Sequence, residues 1–126
     1  MSVKDKYQSV LSLGEKLAAK DGKVVVEDGV LKIKGTVKTQ YEKDILWDEI
    51  KKVGGEKPSD LLANIIVEDT SVYHRHEVTS GESLSKIAKH YYGDPMKYKA
   101  IFEANTNLLD NPDMIHPGQV LVIPNS

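Results

Sequence analysis

The sequence predicts an α+β protein of two small domains, an N-terminal α-β-β-α-β unit (1–69) and a C-terminal β-α-α-β unit (70–126). Three observations carry this reading. Asp28-Gly29 sits between two β-rich runs, the pattern of a two-residue hairpin turn. Thr39 followed by Glu42 forms a capping box ahead of an apolar period of three and four. In the second half, "EVTSGESLSKIAKHYYGD" (77–94) reads as a strand end, a Gly turn and a short amphipathic helix stopped by Gly93.

The elements follow in order. Tyr7, Val10, Leu11, Gly14, Leu17 and Ala18 lie on one stripe, predicting a helix near 5–20 with Gly22 as its stop and Lys20 near its last carbonyls. In "KVVVEDGVLKIKGTV", Leu31 and Ile33 share one face and Lys32 and Lys34 the other, so the hairpin is expected to be half-buried. The capped helix starts at Thr39, carries Tyr41, Ile45, Leu46, Ile50 and Val53 on one side, and ends at Gly54-Gly55. Trp47, the chain's single tryptophan, lies at the edge of that stripe, which suits a core rim or a contact with the second half. "LLANIIVED" reads as a third strand and "DTSVYHR" as the linker.

The second half continues with a strand at about 73–79 and a helix at about 83–91 with the stripe Leu84, Ile87, Ala88 and Tyr91. A second helix spans about 95–104, opened by the cap and proline of Asp94-Pro95 and striped by Tyr98, Ile101, Phe102 and Asn105. A long loop leads to a Pro-Gly turn and a closing strand at about 119–123.

Composition removes several function classes. Net charge is −2, with 17 basic against 19 acidic residues. Neither half is basic, so there is no electrostatic footprint for nucleic acid or an anionic membrane. Cysteine is absent, which removes disulfides and thiolate metal sites. No apolar run reaches a membrane span. The first 22 residues have charges throughout, and their longest uncharged run, 7–14, holds Gln and two Ser, a poor secretory core. A cytoplasmic, monomeric protein is the expectation.

"EVTSGESLSKIAKHYYG", "YKAIFEAN" and "MIHPGQVLVIP" together resemble a LysM domain across about 73–124. Val78, Gly81, Glu82, Ser83, Leu84, Ile87 and Ala88 occupy the places of the family's opening, with Glu-Ser standing where Asp-Thr is usual. "VVVEDGVLKIKGTV" and the α-β-β-α-β order resemble a BON domain. The whole is similar to the small two-domain BON–LysM proteins, a group that includes a cytoplasmic potassium-binding protein. The resemblance implies a non-enzymatic protein that binds potassium and changes compactness, with no cofactor besides that ion.

Two binding sites compete. Where LysM domains hold N-acetylglucosamine polymers (peptidoglycan or chitin), they use the loops after the first strand and before the last. Carried over, those are Gly81, Glu82, Ser83 and Leu84 with Asn111, Pro112, Asp113, Met114 and Ile115. The same residues also serve the fold: Gly81 allows a turn, Ser83 caps a helix, Leu84 joins a core. Potassium is held by several oxygens, often backbone carbonyls, and leaves no side-chain motif. Two stretches are rich in oxygen donors: "NTNLLDNPD", with Asn105, Asn107 and Asp110, and "VEDTS" at the domain junction, with Val67, Glu68 and Asp69. A junction site would couple binding to closure. Docking of a protein or membrane partner through the first half is a third reading.

Other chemistry is poorly served. His74 and His76 alternate on a strand, but a metal would need a third ligand from His90, His116 or a carboxylate. No nucleophile–base pair, phosphate-cradling loop or His-Glu-x-x-His pattern occurs, so no catalytic residue is expected. Asp48 and Glu49 read as solvated helix positions.

Overall fold

A computed structural model describes residues 2–125 and is of mixed α+β class. It divides into two compact units, Met1–Asp69 and Thr70–Ser126.

The first unit opens with α1 (Val3–Lys6), capped by Ser2 Oγ accepting from the Asp5 N–H, and α2 (Gln8–Lys16). The single helix predicted for 5–20 is therefore divided at Tyr7, whose backbone leaves the helical region while its ring is fully buried. Its hydroxyl donates to Asp60 Oδ1 at 2.6 Å, anchoring the break from 53 residues away. Gly22 is not the stop. α2 ends in a Schellman arrangement, with the Ala19 N–H on Gly14 O and the Ala18 N–H on Glu15 O. Ala18 takes the left-handed position at φ 55°. Gly22 lies inside β1 (Lys20–Glu27), beside an irregularity between Lys20 and Lys23 where Asp21 is also left-handed.

β1 pairs antiparallel with β2 (Val30–Thr39) through Asp28 and Gly29, both at positive φ, as a type I′ turn requires. Half-burial holds only for β2, where Leu31 and Val37 are buried; β1 is exposed along its length. α3 (Gln40–Gly54) begins where the capping box places it. Thr39 Oγ1 accepts from Glu42 N–H, and Glu42 Oε1 reaches back to the Lys38 N–H at 2.8 Å. The helix carries the chain across to β3 (Leu61–Asp69), which pairs parallel to β2, giving the order β1-β2-β3. Tyr7, Val10, Leu31, Val37, Leu46, Ile50, Leu61 and Ile65 form its core, with half-buried Trp47 packed at its rim.

The second unit pairs β4 (His74–Glu77) antiparallel with β5 (Val120–Ile123). The connection from β3 is shorter than the predicted linker, because Asp69 closes β3 and His74 and Arg75 already belong to β4. α4 (Leu84–Tyr92) is capped by Ser83 Oγ on the Lys86 N–H and stopped by left-handed Gly93. A 3-10 turn (Pro95–Lys97), capped by Asp94, precedes α5 (Tyr98–Ala104), so the predicted second helix is α-helical only from Tyr98. Val78, Leu84, Ile87, Ala88, Ile101, Leu109, Leu121 and Ile123 form a separate core.

Candidate functional site

The even residues of β4 point inward, and so does the face of α4 that bears Tyr91. His76 is thus placed between Tyr91 and the turn that follows the strand. Its Nδ1 lies 2.7 Å from Tyr91 Oη and its Nε2 lies 2.8 Å from Glu82 Oε1. Glu82 accepts only, so Nε2 carries the proton toward it, and Nδ1 of a neutral ring accepts from the Tyr91 hydroxyl. Glu82 Oε1 also accepts from the Thr79 N–H at 2.7 Å. Burial alone would raise the Glu82 carboxyl; the Thr79 and His76 hydrogen bonds outweigh it and hold the group below its ordinary range. Tyr91 also meets the rings of His74, His90 and Tyr73.

This network closes the Gly81 turn. Gly81 sits at φ 85°, and its carbonyl accepts from Lys86 Nζ at 3.2 Å. Ser83 caps α4, and Leu84 is buried. All four residues of the first predicted glycan loop therefore hold the unit together. The second loop is more open. Asn111 Oδ1 accepts from the Asp113 N–H and Asn111 O from the Met114 N–H, a tight turn that leaves Met114 exposed and Asp113 at the surface. Pro112 and Ile115 are half-buried, Ile115 against the core. Both loops leave the same end of the β4–β5 ribbon, where Glu77 pairs with Val120 and the Val78 N–H donates to Gln119 O.

The oxygen-rich stretches are placed differently from each other. Val67, Glu68 and Asp69 are the last residues of β3 and not a loop; Glu68 pairs with Lys20 at 3.4 Å. Asn105 is 3 % exposed and its amide is committed. Nδ2 donates to Ile101 O (2.7 Å) and Val122 O (2.9 Å), and Oδ1 accepts from the Val122 N–H (2.8 Å). It clamps α5 to β5. Asn107 and Asp110 are exposed. The carbonyls of Thr106, Asn107, Leu108, Leu109 and Asp110 accept no hydrogen bond from the described residues, and all of these residues but Leu109 are exposed.

Among the described residues, no three His, Asp or Glu side chains come together as a metal site. His74 and His76 do share an inward face, and both ring nitrogens of His76 are engaged. The His76–Glu82–Tyr91 network escaped the sequence reading. The signal for it was present: His76 shares its strand face with buried Val78, and Tyr91 lies on the apolar stripe of α4. Among the described residues, no helix is long and apolar enough to cross a membrane.

The LysM domain family matches residues 76–124. The potassium binding protein Kbp of Escherichia coli is 34% identical over 101 residues, covering 80% of this chain and 67% of its own length. An uncharacterized protein of Deinococcus radiodurans is 59% identical over 49 residues, which is 39% of this chain and 19% of that protein.

Proposed function

The chain belongs to the LysM-containing family of the potassium binding protein Kbp, and from that premise we propose that it is a non-enzymatic, cytoplasmic protein that binds potassium ion. One observation carries the reading. The 101-residue match is longer than the whole second unit, so the likeness extends well into the first and is not a LysM likeness alone.

The loop between α5 and β5 supports it chemically. A weakly hydrated monovalent cation is held by exchanging part of its water shell for several neutral or singly charged oxygens. The carbonyls of Thr106, Asn107, Leu108 and Asp110, with the Asn107 and Asp110 side chains, are a donor set of that kind. Asn105 positions this loop through its clamp on Val122 and is not a ligand in this reading. Binding reorients the two units only as far as the ion's affinity differs between arrangements.

The test is a titration of the full chain with KCl, with NaCl as control, followed by Trp47 fluorescence and small-angle scattering. A saturable response to potassium in the millimolar range, absent with sodium and lost in Asp110→Ala combined with Asn107→Ala, is the expected outcome. Equal responses to both salts, or none, overturn it.

The second reading is a glycan module for N-acetylglucosamine polymers, favoured by the two loops that share one end of the β4–β5 ribbon and by exposed Met114. Titration with chitin oligomers should then shift the amides of Gly81–Leu84 and Asn111–Ile115. Unmoved amides at both loops remove this reading.

A further inference from the structure

In the order β1-β2-β3, β1 has β2 on one side and no described strand on the other. It is exposed along its whole length, and its centre is the apolar run Val24, Val25 and Val26, at 44%, 51% and 49% exposure. An exposed edge strand carries unpaired N–H and C=O groups that template pairing with another chain. The hairpin fixes which groups these are. Residues flanking a two-residue turn exchange both hydrogen bonds, and such pairs alternate along the ladder. Glu27 pairs with Val30 across the Asp28-Gly29 turn, so Glu27, Val25 and Lys23 turn their backbone to β2. Val24 and Val26 turn theirs to the open edge. Neither backbone has a hydrogen bond to a turn, loop or side chain among the described residues.

The side chains select one occupant. Val24 and Val26 share the inner face with their register partners Ile33 and Leu31, while Lys23, Val25 and Glu27 face the other side. Lys23 stands opposite Lys34, a like-charge pair, and makes no ion pair among the described residues. A second β1 laid antiparallel on the edge, with the two-fold axis at Val25, resolves this. Val24 then exchanges hydrogen bonds with Val26 of the second copy, Val25 faces its own counterpart, and Lys23 faces Glu27 of the second copy. Glu27 holds Lys32 through Oε2 at 3.1 Å and has Oε1 to offer. Other registers fail. Centring the axis on Val24 sets Glu27 against Asp21, and centring it on Val26 sets Val24 against Asp28.

We propose that β1 is a self-association surface, through which two copies of this chain join edge to edge about a two-fold axis at Val25. The two sheets run on as one, and the same patch serves both copies. Val26 of the second copy stands beside the apolar groove between α2 and the sheet that Val24 lines. One short strand pair is a small interface, so the association is weak and concentration-dependent. The monomer expected from the sequence is its dilute form. This surface is separate from the α5–β5 loop and does not rest on the potassium reading.

The test is sedimentation of the full chain from micromolar to millimolar concentration, with amide hydrogen exchange measured at both ends of the range. The mass is expected to rise from that of one chain toward that of two. The Val24 and Val26 amides should gain protection with concentration, while those of Lys23, Val25 and Glu27, already bonded to β2, change little. Lys23→Glu and Glu27→Lys should each weaken association about tenfold, since both symmetric cross-strand pairs turn from opposite to like charge. An equal mixture of the two variants should associate as the unmodified chain does, because the mixed pair restores both contacts. Val24→Pro removes an N–H that faces the open edge, where proline is tolerated, so it should fold and stay monomeric. The proposal is overturned by the mass of one chain at every concentration, by association that either charge reversal leaves unchanged, by a mixture no better than its components, or by a folded Val24→Pro chain that associates as before.

Discussion

At the scale of single residues, Tyr7 organises the first unit. It is fully buried, breaks the N-terminal helix, and donates to Asp60, which also receives Lys6 Nζ at 2.7 Å. Gly54 makes room for it. A Cβ on Gly54 would stand 2.1 Å from Tyr7 Oη and 3.0 Å from Pro58 Cβ, and the hydroxyl cannot retreat without leaving Asp60. Gly54→Ala should therefore cost about 1–3 kcal/mol, the usual penalty of overpacking, measured by urea unfolding. An unchanged midpoint would contradict this role. The same hydroxyl makes stability depend on alkaline pH. Burial first, then the hydrogen bond and charge of Asp60, push Tyr7 up to about 12 from its ordinary 10.0. A group raised in the folded state favours folding in its protonated form, so this stabilisation is whole below pH 10 and is lost as pH rises toward 12. Burial raises Tyr41 and Tyr92 as well. Comparison with Tyr7→Phe isolates the Tyr7 share: the variant should lose less stability between pH 9 and 12 than the unmodified chain. Tyr7 was legible in the sequence as a stripe residue and Gly54 as a helix stop. Their contact and the Asp60 partner were not, because they join residues about fifty positions apart.

At the scale of elements, local chemistry was readable wherever a side chain caps its own backbone. Thr39, Ser83 and Asp94 each accept from an N–H two or three residues on, and Gly93 closes α4 in the left-handed region. Such contacts span one turn, so residue type and spacing suffice to find them. The end of α2 shows the opposite case. The left-handed stop is Ala18, with no glycine to mark it, and the expected stop at Gly22 belongs to a strand. Pairing of Lys20 with Thr36 and the packing of Leu17 and Ala19 on the core turn the chain earlier than local preference suggests. Ala18 bears the steric cost of a Cβ at φ 55°. Ala18→Gly should relieve it and, after the greater entropy of the unfolded glycine chain, raise stability by up to about 1 kcal/mol. A lower thermal midpoint in calorimetry would show that Ala18 is not under strain. β1 was misjudged for a related reason. Its run of three valines, Val24–Val26, is apolar enough for a half-buried strand, but the helices cover β2 and β3 and leave β1 open.

At the scale of the whole molecule, the two hydrophobic clusters share no residue. The second gathers eight buried apolar side chains and the Asn105 clamp, and no buried side-chain polar atom among the described residues lacks a partner. Residues 70–126 expressed alone should therefore fold cooperatively, with dispersed amide NMR signals and a single thermal transition. A collapsed spectrum would show that this unit needs the first, which is the usual risk at so small a size. The sequence by itself determined the α+β class, the hairpin, the capped helices and the LysM resemblance, because each depends on periodicity or on contacts within one turn. It also exposed the oxygen-rich loop after α5 as a stretch of composition. Only the tertiary structure decided which of those oxygens are committed. Asn105 is spent on Val122, Val67–Asp69 lie in a strand, Glu82 is held by His76 and Thr79, and the exposed carbonyls of Thr106, Asn107, Leu108 and Asp110 receive no donor from the described residues. Whether an oxygen is available depends on which distant N–H groups the fold brings to it, and no local pattern encodes that.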